Sequence, residues 1–273
     1  MAFELCANLS ILMPDLPLQD QFEAAAHLGF RSVELWWPFD DAVPDPADVE
    51  ALIGAIDASG LRLAGLNLFA GDMPAGERGI ASHPGREGEF RANVAVVVEI
   101  ARRTGCRVFN ALYGARVDGA DGAEQDRVAI ENLAFAAEAL GEVGGTLLIE
   151  PLSGTAGFPV LTAAEGMRVV DEVARAARSG RVGLLFDTFH LTNNGDDLVE
   201  VIATCGERIA HVQFADSPGR GEPGTGDVDF ERVLDGLVRA GYDGLVSCEY
   251  APTVPVSESL RWIEDHPRVS LPI

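Results

Sequence analysis

Cationic side chains are scarce in this chain. Lys and Arg together number 20 against 43 Asp and Glu, leaving a net charge of −23 over 273 residues. Neutralising phosphates takes clustered Lys and Arg, so this balance argues against nucleic acid as a partner. Cysteine is rare too. Cys6, Cys106, Cys205 and Cys248 show no CxxC or other metal spacing, and two of them fall inside predicted strands, so they read as reduced core thiols. No apolar run reaches the ~18 residues of a membrane span, and the N-terminus lacks the basic stretch of a signal peptide; the reading is a cytoplasmic protein without a membrane partner. The glycine fingerprint GxGxxG is missing after the first strand, so no nucleotide cofactor is expected.

What is present is alternation. Phe3–Asn8, Ser32–Leu35, Leu61–Asn67, Arg107–Ala111, Thr146–Ile149, Val182–Phe186, Ile209–Val212 and Leu245–Cys248 read as strands, each followed by a helical pattern. Val49, Leu52, Ile53 and Ile56 share one helix face at i, i+3, i+4 and i+7, with Gly60 as the stop. Thr162 and Glu165 form a capping box, and Asp229 caps the helix that buries Phe230, Val233 and Leu237. Strands such as TLLI and VGLLF are apolar on both faces, as parallel strands covered by helices must be. Eight such units at this length predict an α/β fold, a single (β/α)8 TIM barrel domain over residues 1–273. An open doubly wound sheet is the runner-up.

Four consecutive strands end in a polar residue: Glu150, Asp187, Gln213 and Glu249, spaced by 37, 26 and 36. A carboxylate at the end of a buried strand is costly unless it is paired, metal-bound or wet. In a barrel every strand aims its carboxyl end at one mouth, so residues far apart in sequence converge. Two Glu, one Asp and an amide carbonyl form an all-oxygen set suited to Mg²⁺ or Mn²⁺. Arg78, Arg86 and Arg220 fall in mouth-side loops, where a guanidinium suits a carboxylate. Glu222 is a competing partner for Arg220. His190 lies on the loop leaving strand six, His211 reads as a satisfied core residue, and Trp36, Trp37 and Phe69 could wall the pocket or meet another subunit.

At the level of motifs the chain resembles the hydroxypyruvate isomerase family, within the barrel sugar isomerases and epimerases that also include endonuclease IV. The likeness rests on ANLS at 7–10, AGERGIA at 75–81, PGRE at 84–87, IEP at 149–151, HVQFAD at 211–216, RGEPGTG at 220–226 and CEY at 248–250. It implies a divalent metal on Glu150, Asp187, Gln213 and Glu249, with Glu150 and Glu249 as the catalytic acid–base pair. It implies His190, Arg220, Asn67 and Arg78 as substrate-binding residues. The implied reaction interconverts hydroxypyruvate, or a related short 2-keto-3-hydroxy acid, with its aldehyde isomer (tartronate semialdehyde) through an enediolate. A 2-oxo-tetronate isomerase, a ketose 3-epimerase on a neutral sugar, and a catalytically silent metabolite-binding protein are the rivals, and a homo-oligomer is compatible with all of them. The stretch LSGTAGFP after IEP departs from the family pattern of an Asn, charged residues and a DIPG-like turn, so the substrate expectation extends beyond hydroxypyruvate itself.

Overall fold

A computed structural model describes residues 2–271; the outermost residues of the expected 1–273 domain (1, 272 and 273) lie outside the described residues. Strands β1 (Phe3–Asn8), β2 (Ser32–Leu35), β3 (Arg62–Asn67), β4 (Val108–Asn110), β5 (Thr146–Ile149), β6 (Arg181–Asp187), β7 (Ile209–Phe214) and β8 (Val246–Cys248) pair in parallel with their sequence neighbours. Pairing of β1 with both β2 and β8 closes the ring. This is the (β/α)8 barrel that the alternation predicts.

The helices follow in step. After β1 come α1 (Leu9–Leu12) and α2 (Leu18–His27); α3 (Pro46–Ser59), α4 (Glu87–Thr104), α5 (Gly122–Gly141) and α6 (Ala163–Ala176) each follow one strand. Then α7 (Thr188–Asn193) and α8 (Leu198–Cys205) follow β6, and α9 (Phe230–Arg239) follows β7. Two single turns, α10 (Val256–Ser259) and α11 (Trp262–Asp265), stand where one last helix is expected, and β9 (Val269–Ser270) pairs with β1. Local chemistry accounts for the boundaries. Asp45 accepts from Ala47 N with Pro46 at the first position of α3, and Gly60 closes it at φ 69°. The capping box of Thr162 and Glu165 opens α6, and Asp229 accepts from Arg232 N at the start of α9.

The expected apolar faces are buried: Val49, Leu52, Ile53 and Ile56 on α3, and Phe230, Val233, Leu234 and Leu237 on α9. Inside the ring the picture changes toward the carboxyl end. There Asn8, Glu34, Asn110, Glu150, Asp187, Gln213 and Glu249 are all buried. An apolar core therefore gives way to a polar layer below the mouth.

Candidate active site

Each side chain of that layer is set by the strand or turn that carries it. Asp187 and Gln213 face one another as paired positions of β6 and β7. Glu249 follows β8, its N–H donating to Phe214 O. Glu150 follows β5 and is backed by Asn110 on β4, whose Nδ2 donates to Glu150 Oε2 at 2.7 Å. Asp187 also caps α7, accepting from Phe189 N at 2.7 Å and His190 N at 3.0 Å through Oδ1. His190 thus sits in the first turn of a short helix, not on the expected loop.

Glu150, Glu249, His190, Arg220, Asn67 and Arg78 line one cavity of 330 Å³ at the mouth, together with Trp36, Ser153, Thr155 and Phe189. Asp187 joins them from below: its carboxylate, that of Glu150 and the His190 ring place their ligand atoms within 4.8 Å of one another, a group able to hold a metal ion. Gln213 enters through its register pairing with Asp187 and through Glu34, to whose Oε1 its Nε2 donates at 2.8 Å.

The hydrogen bonding of this layer is one-sided. Asp187 Oδ2, Glu249 Oε2, Gln213 Oε1, Asn8 Oδ1 and Asn110 Oδ1 are buried without any donor. Buried acceptors are normally satisfied, and each orphan costs about 1–3 kcal/mol. In Asp187, Glu249 and Gln213 one polar atom of the terminal group is held by the protein while an oxygen stays free. Hard, preoriented oxygens of this kind fit a Mg²⁺-like ion.

Electrostatics point the same way. Burial, reinforced by Asp187, pushes the Glu150 carboxyl up to about 8. Burial also lifts Glu249 well above the usual carboxylate range, against the pull of Arg220. Burial raises the Glu34 carboxyl, but His211, Ser247 and Gln213 together outweigh it and leave the group below its ordinary value. The His190 imidazole, desolvated by burial, is lowered to about 4 and is neutral at pH 7. Its tautomer follows from its neighbours. Ser153 N donates to Nδ1 at 3.0 Å, so Nδ1 is bare and the proton resides on Nε2, which lies 3.9 Å from Glu150 Oε1. In that state the ring offers a donor at Nε2, so within the group able to hold an ion the oxygens of Glu150 and Asp187 are the ligand atoms.

Arg220 is the cation of the site. Its Nη2 lies 3.6 Å from Glu249 Oε1 and 3.9 Å from Asp187 Oδ2, and its guanidinium stands 5.3 Å over the Phe189 ring. The backbone there is at φ 60°, a left-handed conformation that costs a non-glycine residue about 1–2 kcal/mol. Glu222 does not pair with Arg220: it accepts from Thr253 N at 2.9 Å and Oγ1 at 2.7 Å. Arg86 is bound in a clamp of Glu77 and Glu89, each at 2.7 Å. Arg78 donates through Nη1 to Met73 O and Glu77 O, holding its own loop while it lines the cavity. Trp36 Nε1 donates to Glu249 Oε1 at 2.7 Å, so Trp36 belongs to the wall, whereas Trp37 packs on Phe39 and donates to Asp41 O. His211 is the satisfied core residue expected of it, 2.6 Å from Glu34 Oε2.

Residues 22–266 match the family model of the xylose isomerase-like TIM barrel. The chain belongs to that family. A putative hydroxypyruvate isomerase of Streptomyces coelicolor is 47% identical over 94% of this chain and 94% of its own. The hydroxypyruvate isomerase of Escherichia coli is 34% identical over 95% and 98%, and a 2-oxo-tetronate isomerase of Cupriavidus necator is 33% identical over 95% and 97%. Among solved structures, one titled AP endonuclease, family 2, from Brucella melitensis superposes with a TM-score of 0.86 at 31% identity, covering 97% of this chain and 99% of that one. Three members of the polar layer in this chain, Asn8, Glu34 and Asn110, are not singled out by the strand-end pattern. Glu34 lies inside the short strand SVEL, one residue before its end, so a search for polar residues that close an apolar run passes over it.

Proposed function

We propose that the chain is a hydroxypyruvate isomerase-like enzyme. It interconverts a short 2-keto-3-hydroxy acid and its aldehyde isomer, with Glu150 and Glu249 moving the proton. The observation that carries this reading is the placing of two buried glutamates of raised pKa beside the Arg220 guanidinium in a 330 Å³ cavity. Glu150, Asp187, Gln213 and Glu249 are the residues that would hold a divalent ion, Mg²⁺ or Mn²⁺; such an ion supplies Lewis-acid stabilisation of the enediolate oxygens.

The protein's own groups account for the rest. Arg220 receives the substrate carboxylate in a forked, charge-assisted contact. His190 donates from Nε2 to a substrate oxygen, and Asn67 and Arg78 bind at the rim of the same cavity. One glutamate takes the proton from C3 of hydroxypyruvate, and the same group or its partner delivers it to C2. The hydroxyl proton passes from the C3 oxygen to the C2 oxygen, so nothing is gained or lost. Proton transfer of this kind is worth about 10²–10⁴-fold. The chain contains no lysine, so a Schiff-base route through the carbonyl has no residue to use. We place the protein in the cytoplasm as one barrel domain, without a nucleic-acid, membrane or nucleotide-cofactor requirement. An isomerase needs none of these, and the acidic surface disfavours DNA.

A substrate panel followed by NMR tests the reading. Hydroxypyruvate and 2-oxo-tetronate should isomerise in the presence of Mg²⁺ or Mn²⁺, while D-fructose and D-tagatose should not epimerise. Turnover of the neutral ketoses alone would assign the chain to the 3-epimerases, and no turnover of any would leave a metabolite-binding barrel.

A further inference from the structure

We propose that Glu34 is a positioning residue that fixes which way the Gln213 amide points, and that this is why the site uses an amide at position 213 rather than a third glutamate. The inference deepens the metal-assisted reading and rests on it.

An amide has a donor end and an acceptor end. Gln213 Nε2 donates to Glu34 Oε1 at 2.8 Å, and Asn8 Nδ2 donates to the same oxygen at 2.9 Å. Their other ends, Gln213 Oε1 and Asn8 Oδ1, are buried and accept from nothing. His211 Nε2 lies 2.6 Å from Glu34 Oε2; a carboxylate can only accept, so the ring donates there. Three donors therefore converge on one buried carboxylate, which cannot offer an amide anything but an acceptor. The amide nitrogens turn to it, and the Gln213 oxygen is left free on the residue that pairs with Asp187. Gly65 on β3 makes the room: a Cβ there would stand 3.1 Å from both Glu34 Cβ and Oε2.

A testable asymmetry follows. Replacing Gln by Glu at a hard-cation site adds a formal charge and ordinarily tightens binding. Here it would set two carboxylates at hydrogen-bond distance and remove the donor that Glu34 requires. Putting an amide at position 34 restores the polarity of that bond in reverse, with its oxygen toward His211 and its NH₂ toward the new carboxylate.

The experiment is an electron paramagnetic resonance titration of the full chain with Mn²⁺, using the wild type, Q213E, E34Q and E34Q/Q213E, with melting of the EDTA-treated proteins alongside. Q213E and E34Q should each bind Mn²⁺ about 10–100-fold more weakly than the wild type. The double variant should return to within about threefold, and E34Q should melt no lower than the wild type. A residue needed only for folding would not be rescued in this way. Q213E binding as tightly as the wild type, or a double variant as weak as Q213E, overturns the positioning role while leaving the metal reading intact. A wild-type chain that binds no Mn²⁺ overturns the metal reading itself, and the inference with it. Should Q213E not fold, E34Q alone decides: a tenfold or greater loss supports the role, and wild-type affinity removes it.

Discussion

In the proposed reaction the burial of Glu150 would serve chemistry while it works against stability. Its carboxyl is raised from 4.5 to about 8 by burial and by Asp187. A group raised in the folded state gives its full stabilisation below the unfolded pKa and loses it as pH climbs through the folded one. The metal-free protein should therefore lose stability between about pH 5 and pH 8. The loss should reach a few kcal/mol, since each tenfold change in proton affinity is worth about 1.4 kcal/mol. Glu150→Gln removes the ionising group. In EDTA at pH 8 it should melt higher than the wild type and show a flatter pH profile, while its kcat falls about 10²–10⁴-fold. A variant as pH-sensitive as the parent would refute the burial argument. The residues of the site differ in how legible they are. Glu150, Asp187 and Glu249 stand out because each ends an apolar run, which a sequence displays directly. Glu34 acts through a bond to Gln213, 179 residues away, and Asn110 through one to Glu150 at the end of the neighbouring strand, 40 residues away. No local pattern encodes those pairings. Ser153 is hidden for a different reason, since its main-chain N–H, which carries no side-chain signature, sets the His190 tautomer.

At the scale of elements, the loop after β7 is held by a framework of main-chain N–H hydrogen bonds. Asp216 accepts from Ser217 N, Gly224 N and Val228 N, and Ala251 N donates to Arg220 O. That framework offsets the left-handed backbone at Arg220 and points its fork into the cavity. Arg220→Lys keeps the charge but loses the fork. Its KM for a keto acid should rise about 10-fold or more, with the melting temperature little changed; an unchanged KM would take the carboxylate away from Arg220. Capping gives a contrasting case. Thr162→Ala opens the box on α6, outside the cavity, and should cost about 1 kcal/mol in urea unfolding with kcat unaltered. Element order and most boundaries are readable because apolar period and caps are local properties. The exceptions share a cause. The four-residue α1, the six-residue α7 and the split α10–α11 are too short to show a helical period, and His190 reads as a loop residue for that reason.

At the scale of the whole molecule, barrel closure makes the site. Registers β1–β2 and β8–β1 bring Asn8 beside Glu34 and set Cys248, one residue short of Glu249, against Ala7, one residue short of Asn8. Residues at both ends of the chain thus share one layer. Concentrating Glu150, Asp187 and Glu249 around Arg220 is an unfavourable charge arrangement that a bound divalent cation would relieve. Mg²⁺ or Mn²⁺ should accordingly raise the melting temperature at pH 8 more than at pH 5.5; equal shifts at both pH values would count against binding at these carboxylates. Among the described residues no helix is long and apolar enough to cross a membrane.

The central claim is that Glu150 and Glu249 carry the substrate proton, and deuterium wash-in tests it most directly. In D₂O the Mg²⁺-loaded wild type should convert hydroxypyruvate to an aldehyde isomer carrying deuterium at C2 and, through the reverse step, return deuterium to C3 of hydroxypyruvate, and Glu150→Gln and Glu249→Gln should each slow isomerisation and exchange at least 100-fold. Isomerisation at wild-type speed in both variants, or none with the wild type, would contradict the account.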